Sequence, residues 1–295
     1  MIECVPNVSE GRDSATIARM AHAIQHAGSL LLDTHRDLDH HRSVFTFVGS
    51  PPSLAESVLS LAKVAVEAID VSAHVGVHPR VGAIDVIPFI PLSDASMEEC
   101  ILLAKETGRQ LAERYQLPVF LYGRAATRLE HSELPDIRRG GLKDLARRMQ
   151  TPAWRPAFGP SAPHPTAGAV VVGARPPLVA YNVVLDADDI AIARAIASVI
   201  RSSAGGLPGV KALGFRLAGR KRVQVSMNLT DTSRTTIQQV FDAVKAEAGE
   251  LGVDILESEL VGLAPRAALA GATRESLQLT TDPADAILED RIGSS

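Results

Sequence analysis

Twice along this chain the apolar pattern runs strand, helix, strand, strand, helix, strand. In the first run residues 2–8 read as a short strand, and residues 13–26 place Ile17, Met20, Ala21 and Ile24 at helical spacing. Leu30 to Leu32 starts a second strand, and Val44-Phe45-Thr46-Phe47-Val48 is a third. Ser50 before Pro51-Pro52 marks a helix start, because a hydroxyl caps free N–H groups and proline suits a first turn. That helix runs to about Ile69, and Ile84 to Ile90 reads as the fourth strand. In the second run residues 178–185 are a strand and residues 188–201 a helix with two acids in its first turn, where the helix dipole favours them. Residues 210–217 and 222–229 are strands around the turn Ala218-Gly219-Arg220-Lys221; residues 235–250 form a helix and 253–260 the closing strand.

A split βαβ order seen twice is the signature of ferredoxin-like units. The expected fold is therefore α+β, an α/β sandwich of two ferredoxin-like βαββαβ subdomains in tandem, with a ligand cleft where they meet. The join, residues 125–177, holds Pro135, Pro152, Pro156, Pro160, Pro163 and Pro165, a density that predicts ordered turns rather than regular elements. One more helix is expected from Arg266 to about Ala272.

Composition narrows the class. With 46% hydrophobic and 22% charged residues the chain can bury a core. Its net charge of −4 lacks the basic excess of a nucleic-acid binder, so no nucleic-acid partner is expected. Basic residues gather only between Arg124 and Arg155, including Arg138, Arg139, Lys143, Arg147 and Arg148, where interspersed acids fit a solvated helix face better than an anion site. Cys4 and Cys100 cannot build a disulfide framework or a paired-cysteine metal site. The N-terminus lacks a signal-peptide pattern, and no run of about 18 apolar residues appears. No membrane partner is expected, and a reducing cytoplasm is the expected compartment.

Two segments between elements could carry chemistry. The first is His74-Val75-Gly76-Val77-His78-Pro79-Arg80. Histidines four apart bind a metal when a helix presents both, but Gly76, β-branched Val75 and Val77, and Pro79 argue against a helix here. A loop histidine more often serves as a hydrogen-bonding residue. His78, however, is fixed by Pro79, and an imidazole beside the Arg80 guanidinium suits proton movement near a carboxylate. The second segment is Gly159-Pro160-Ser161-Ala162-Pro163-His164-Pro165-Thr166-Ala167-Gly168. Its glycines would let the backbone approach a flat ligand while the prolines hold its shape, although a structural linker would look similar.

Further motifs carry a resemblance. They include Glu3-Cys4-Val5-Pro6-Asn7-Val8-Ser9-Glu10-Gly11, Asp37-Leu38-Asp39-His40-His41-Arg42-Ser43-Val44 and Pro88-Phe89-Ile90-Pro91. Leu121-Tyr122-Gly123, Val172-Gly173-Ala174-Arg175 and Ala180-Tyr181-Asn182-Val183 follow in order. So do Ser203-Ala204-Gly205-Gly206-Leu207, Gln224-Val225-Ser226-Met227-Asn228-Leu229-Thr230 and Ser258-Glu259-Leu260-Val261-Gly262-Leu263. Together, over about residues 3–290, they resemble the glutamate formimidoyltransferase family.

That resemblance implies transfer of a formimidoyl group from N-formimidoyl-L-glutamate to N5 of tetrahydrofolate, late in histidine breakdown. It implies two subdomains, residues 1–175 and 176–295, with folate between them. It makes His78 the catalytic acid/base and the loop Gly159 to Gly168 the folate contact. Arg80 and then Arg42 are the candidates for the donor carboxylate, since guanidinium forks suit that group. Small-molecule substrates are the only partners expected besides a homodimer, and no metal is expected. The family commonly has Asn where His41 stands, Asp where Ala157 stands, and an acid near Gly141-Leu142-Lys143. No cyclodeaminase of the kind carried by some relatives is expected on this chain. Formyl transfer involving 5-formyltetrahydrofolate or N-formylglutamate, folate binding without turnover, and a metal hydrolase using His74 and His78 are the competing readings.

Overall fold

The computed structural model describes residues 1–74, 79–217 and 219–293. The chain divides into two compact units, Met1–Pro176 and Pro177–Ser295.

The first unit opens with β1 (Ile2–Cys4) and β2 (Asn7–Val8), then α1 (Ser14–His26), β3 (Leu30–Asp37), β4 (Arg42–Gly49), α2 (Pro51–Ala68) and β5 (Ile84–Pro91). The expected first strand is split at Pro6, which has no N–H to give a ladder. Both pieces pair antiparallel with β4 on one side and β5 on the other, and β3 pairs with β4. Numbering β1/β2 as the first strand, the order across the sheet is 2-3-1-4, the ferredoxin-like arrangement. Asp13 caps α1 and Ser50 caps α2 through their side-chain oxygens, as the sequence chemistry requires.

The sheet then grows beyond that unit. Helix α3 (Met97–Tyr115), with a Ser96/Glu99 capping box, leads to β6 (Val119–Gly123); α4 (Leu134–Arg138) and α5 (Gly141–Arg148) precede β7 (Val170–Ala174). Strand β7 lies parallel between β5 and β6. The join expected to hold only turns thus contains a buried strand and two short helices. Val170, Val171 and Val172 are buried, and a strand covered on both faces shows no alternation to read. One face of the sheet packs Phe47, Ile87 and Phe89 with Met20, Leu61 and Leu111 of α1, α2 and α3. On the other face Val86, Phe120 and Val171 meet Ile137, Leu145 and Met149.

The second unit runs β8 (Val179–Leu185), α6 (Ile190–Ile200), β9 (Val210–Leu217), β10 (Arg222–Leu229), α7 (Ile237–Glu250) and β11 (Ile255–Leu260). Its antiparallel sheet has the order β11-β8-β10-β9, again 4-1-3-2 in strand sequence. The two acids expected inside the first turn of its first helix lie just before it. Asp189 is the cap, accepting from the Ala191 amide at 2.9 Å, and Asp188 pairs with Arg216. The expected C-terminal helix resolves into a 3-10 turn, Arg266–Leu269, and a short helix, Arg274–Leu277. Among the described residues no helix is long and apolar enough to cross a membrane.

Candidate active site

A charged cluster in the first unit is built on the hairpin between β3 and β4. Asp37 ends β3 and holds His40 twice, accepting from its amide at 2.7 Å and meeting its Nδ1 at 2.6 Å. Burial opposes ionisation of Asp37, but the His40 contacts and Arg42 outweigh it and pull the carboxyl down to about 2. The His40 carbonyl in turn accepts from Arg80 Nη2 at 3.0 Å. The next residue, His41, is left-handed at φ 49 and turns its Nδ1 toward the Gly11 amide at 3.0 Å and the Glu10 carboxylate at 3.4 Å. Its ring lies against that of His74, with centroids 4.0 Å apart.

His74 also meets the Arg80 guanidinium, with Nε2 2.6 Å from Nη1. Burial first, then the positive charge of Arg80 and the neighbouring His41, pull the His74 imidazole down to about 4. Both ring nitrogens lie close to a cation, so His74 is poorly placed to hold a metal. No group of three or more metal-binding side chains occurs among the described residues. His78, the expected acid/base, lies outside the described residues, with Val75, Gly76 and Val77.

Arg42 is in electrostatic reach of Arg80, Arg138, Asp37 and Asp85. Burial and then Arg138 lower its guanidinium to about 10, which leaves it charged at neutral pH. Asp85, 1% exposed, accepts from the Val81 amide at 2.8 Å and pairs with Arg138 at 2.5 Å. Arg138 therefore ties α4 to β5 and is not the wholly solvated residue that its stretch of sequence suggests. Arg148 is likewise structural: it donates to the carbonyls of Asp136, Ile137 and Arg139 and stacks 3.9 Å over Trp154. Arg139 and Arg147, exposed and paired with Asp136 and Asp144, do fit a solvated face.

The loop Gly159 to Gly168 is stitched to the segment that follows Arg80. Ala83 donates to the Ala167 carbonyl at 2.9 Å, Ala169 to Val81 at 2.9 Å, and Val71 to Thr166 at 2.8 Å. His164 and Gly168 exchange both backbone bonds, and His164 Nδ1 accepts from the Ala167 amide at 3.0 Å, so its imidazole caps its own turn. The glycines have a packing reason of their own. Gly159 has φ 85 and a Cβ there would lie 2.3 Å from the Leu117 carbonyl; Gly168 has φ 71 and a Cβ would lie 2.5 Å from Val81 O. They let the loop pack on its own unit, and a valine at 159 would disturb the fold. Gly159, Ser161, Ala162, Pro165 and Thr166 form an exposed crest, Pro160, Pro163 and His164 are half-buried, and Ala167 and Gly168 are buried beneath.

The structure brings Arg80 and Arg42 within electrostatic reach of each other and bonds the loop of residues 159–168 to the segment that follows Arg80. Asp37, His40, Asp85 and Arg138 join them. One signal was available for Asp85: a lone acid inside the apolar run Ile84-Asp85-Val86-Ile87 is seldom buried unpaired.

Residues 1–175 match the family model described as the formiminotransferase domain, N-terminal subdomain, and residues 180–281 match the formiminotransferase domain. The chain belongs to the formiminotransferase family. It is 42% identical to glutamate formimidoyltransferase of Thermoplasma acidophilum, over 99% of this chain and 97% of that one. The Streptococcus pyogenes serotype M1 glutamate formimidoyltransferase is 41% identical over 95% and 94%. Formimidoyltransferase-cyclodeaminase of Mus musculus is 41% identical over 92% of this formiminotransferase chain but only 51% of its own length.

Proposed function

We propose that the chain transfers a formimidoyl group from N-formimidoyl-L-glutamate to N5 of tetrahydrofolate, releasing L-glutamate, as a step of histidine degradation. Identity of 41% and 42% to glutamate formimidoyltransferases over nearly the full length supports the activity. The observation that carries the site is the bonding of the loop of residues 159–168 to residues 81–83, directly after Arg80. This joins the segment assigned to the folate and the segment assigned to the donor.

Folate, when bound, supplies the nucleophilic N5. The exposed crest of Gly159, Ser161, Ala162, Pro165 and Thr166, with Pro160, Pro163 and His164 half-buried beside it, fits a flat ligand, because small residues and prolines offer surface with little ordering cost. Ala167 and Gly168 hold that crest from below. Arg80 and Arg42 face the donor carboxylates. The cluster suits an anionic ligand, because among the described residues the guanidiniums of Arg42, Arg80 and Arg138 stand near one another with only the carboxylates of Asp37 and Asp85 beside them. His78 carries the proton that must reach the departing glutamate nitrogen, a task for an imidazole titrating near the working pH. No metal takes part.

Turnover by purified protein, dialysed against a chelator, with formimidoyl and formyl donors tests this. The expected result is undiminished turnover with a clear preference in kcat/KM for the formimidoyl donor. Preference for a formyl donor, or activity regained only on adding zinc, would contradict it.

A further inference from the structure

The imidazole of His41 has a well-defined setting that the proposed transfer does not use. Gly11 N–H donates to Nδ1 at 3.0 Å, so the ring hydrogen sits on Nε2. Glu10 flanks the same nitrogen at 3.4 Å. The ring face rests on His74 at 4.0 Å and a tilt of 35°. His74 in turn meets Arg80 Nη1, while Arg80 Nη2 donates to the carbonyl of His40. Two consecutive hairpin residues therefore hold one guanidinium, His40 directly and His41 through the His74 ring. The charged and titratable groups facing His41 are Glu10 and Arg12 ahead of α1, and His74 and Arg80 ahead of β5.

We propose that His41 is a positioning residue for the donor carboxylate, bracing His74 so that the Arg80 fork keeps its orientation. The proposal rests on the functional reading above. Rings stacked offset at this distance hold one another's orientation, and an arginine free to rotate loses much of its selectivity for a carboxylate. The effect falls on donor binding and spares folate binding, because the loop of residues 159–168 is bonded to backbone at residues 71 and 83 and not to this ring.

Two variants separate the ring from its hydrogen bond. His41→Asn keeps an acceptor for Gly11 and suits a left-handed residue, but removes the face packed on His74. His41→Phe keeps the face and removes the acceptor. The expected result is a donor KM raised about 10-fold in His41→Asn, the equivalent of about 1.4 kcal/mol, with kcat and the folate KM within about 2-fold and partial recovery in His41→Phe. The His74 imidazole, followed by NMR titration, should move toward an ordinary midpoint in His41→Asn and stay low in His41→Phe. An unchanged donor KM with an unmoved His74 titration in His41→Asn would overturn the proposal, as would equal losses for donor and folate. If the parent protein failed to turn over the donor, the functional reading itself would fall, and the His74 titration would still decide whether His41 braces that ring.

Discussion

The β3–β4 hairpin of the first unit and the β9–β10 hairpin of the second each close on a left-handed residue. The last residue before the returning strand, His41 in one and Lys221 in the other, is left-handed at φ 49 and 50. Their first helices start alike too: Asp13 accepts from the Ala15 amide and Asp189 from the Ala191 amide, both at 2.9 Å. From those equal backbones the side chains diverge. His41 packs on His74 and sits among Glu10, Gly11 and Arg80, whereas Lys221 is exposed. All nine histidines of the chain precede residue 177, so the second unit has none. The fold is repeated, and the histidines sit on one copy.

The largest expected contrast comes from glycine. A Cβ at Gly82 would lie 1.8 Å from the Ala169 carbonyl and 2.8 Å from Ala167 O, so Gly82→Ala must part the loop from the strand it is stitched to. Its cost should be about 4 kcal/mol or more, with folate binding lost. Gly252, at φ 67 with nothing within 4 Å, should lose only about 1 kcal/mol when changed to alanine. Thermal unfolding of the two variants checks this, and equal midpoints would break the contrast.

Ion pairs give the next step down. Asp85→Asn leaves the half-buried Arg138 without its carboxylate and should cost about 3 kcal/mol. Asp188→Asn removes a bidentate pair with Arg216 whose side chains are 45% and 47% exposed, and no shift in midpoint should be resolved. A larger loss for Asp188→Asn would show that the second unit depends on charge as the first does.

The smallest effect is a pH slope. His74 is pulled down to about 4, and burial lowers His41 and His131 as well. Between an ordinary histidine midpoint of about 6.5 and pH 4 the unfolded chain binds protons that these folded sites refuse, so stability falls as pH falls through that window. Midpoints measured from pH 7 to 5 should decline for the first unit and hold nearly level for the histidine-free second. His74→Asn should flatten the decline. A slope untouched by that change would assign it elsewhere.

Much of this was legible in the residues. The apolar run Val44 to Val48, the cap at Ser50 and the paired hairpins carried both ferredoxin-like orders, because apolar strands bounded by turn residues and amphipathic helices print their pattern in sequence. Strands β6 and β7 were not legible, since a parallel strand covered on both faces has no polar phase. In the candidate site, Arg80 and the loop of residues 159–168 stand out in the sequence, and the loop's proposed role comes from the family resemblance. Asp85 with Arg138 and His41 with His74 could not be paired, because contacts across 53 and 33 positions arise only when the sheet forms.

The proposed chemistry stands most directly on His78, in the segment that leads into Arg80. Turnover of N-formimidoyl-L-glutamate with tetrahydrofolate by His78→Ala should fall about 10²–10⁴-fold in kcat. Tetrahydrofolate should still raise its thermal midpoint as it does for the parent, because a ligand that binds only the native state stabilises it. Near-parental kcat in a folded His78→Ala protein would contradict the assignment of proton transfer to that residue.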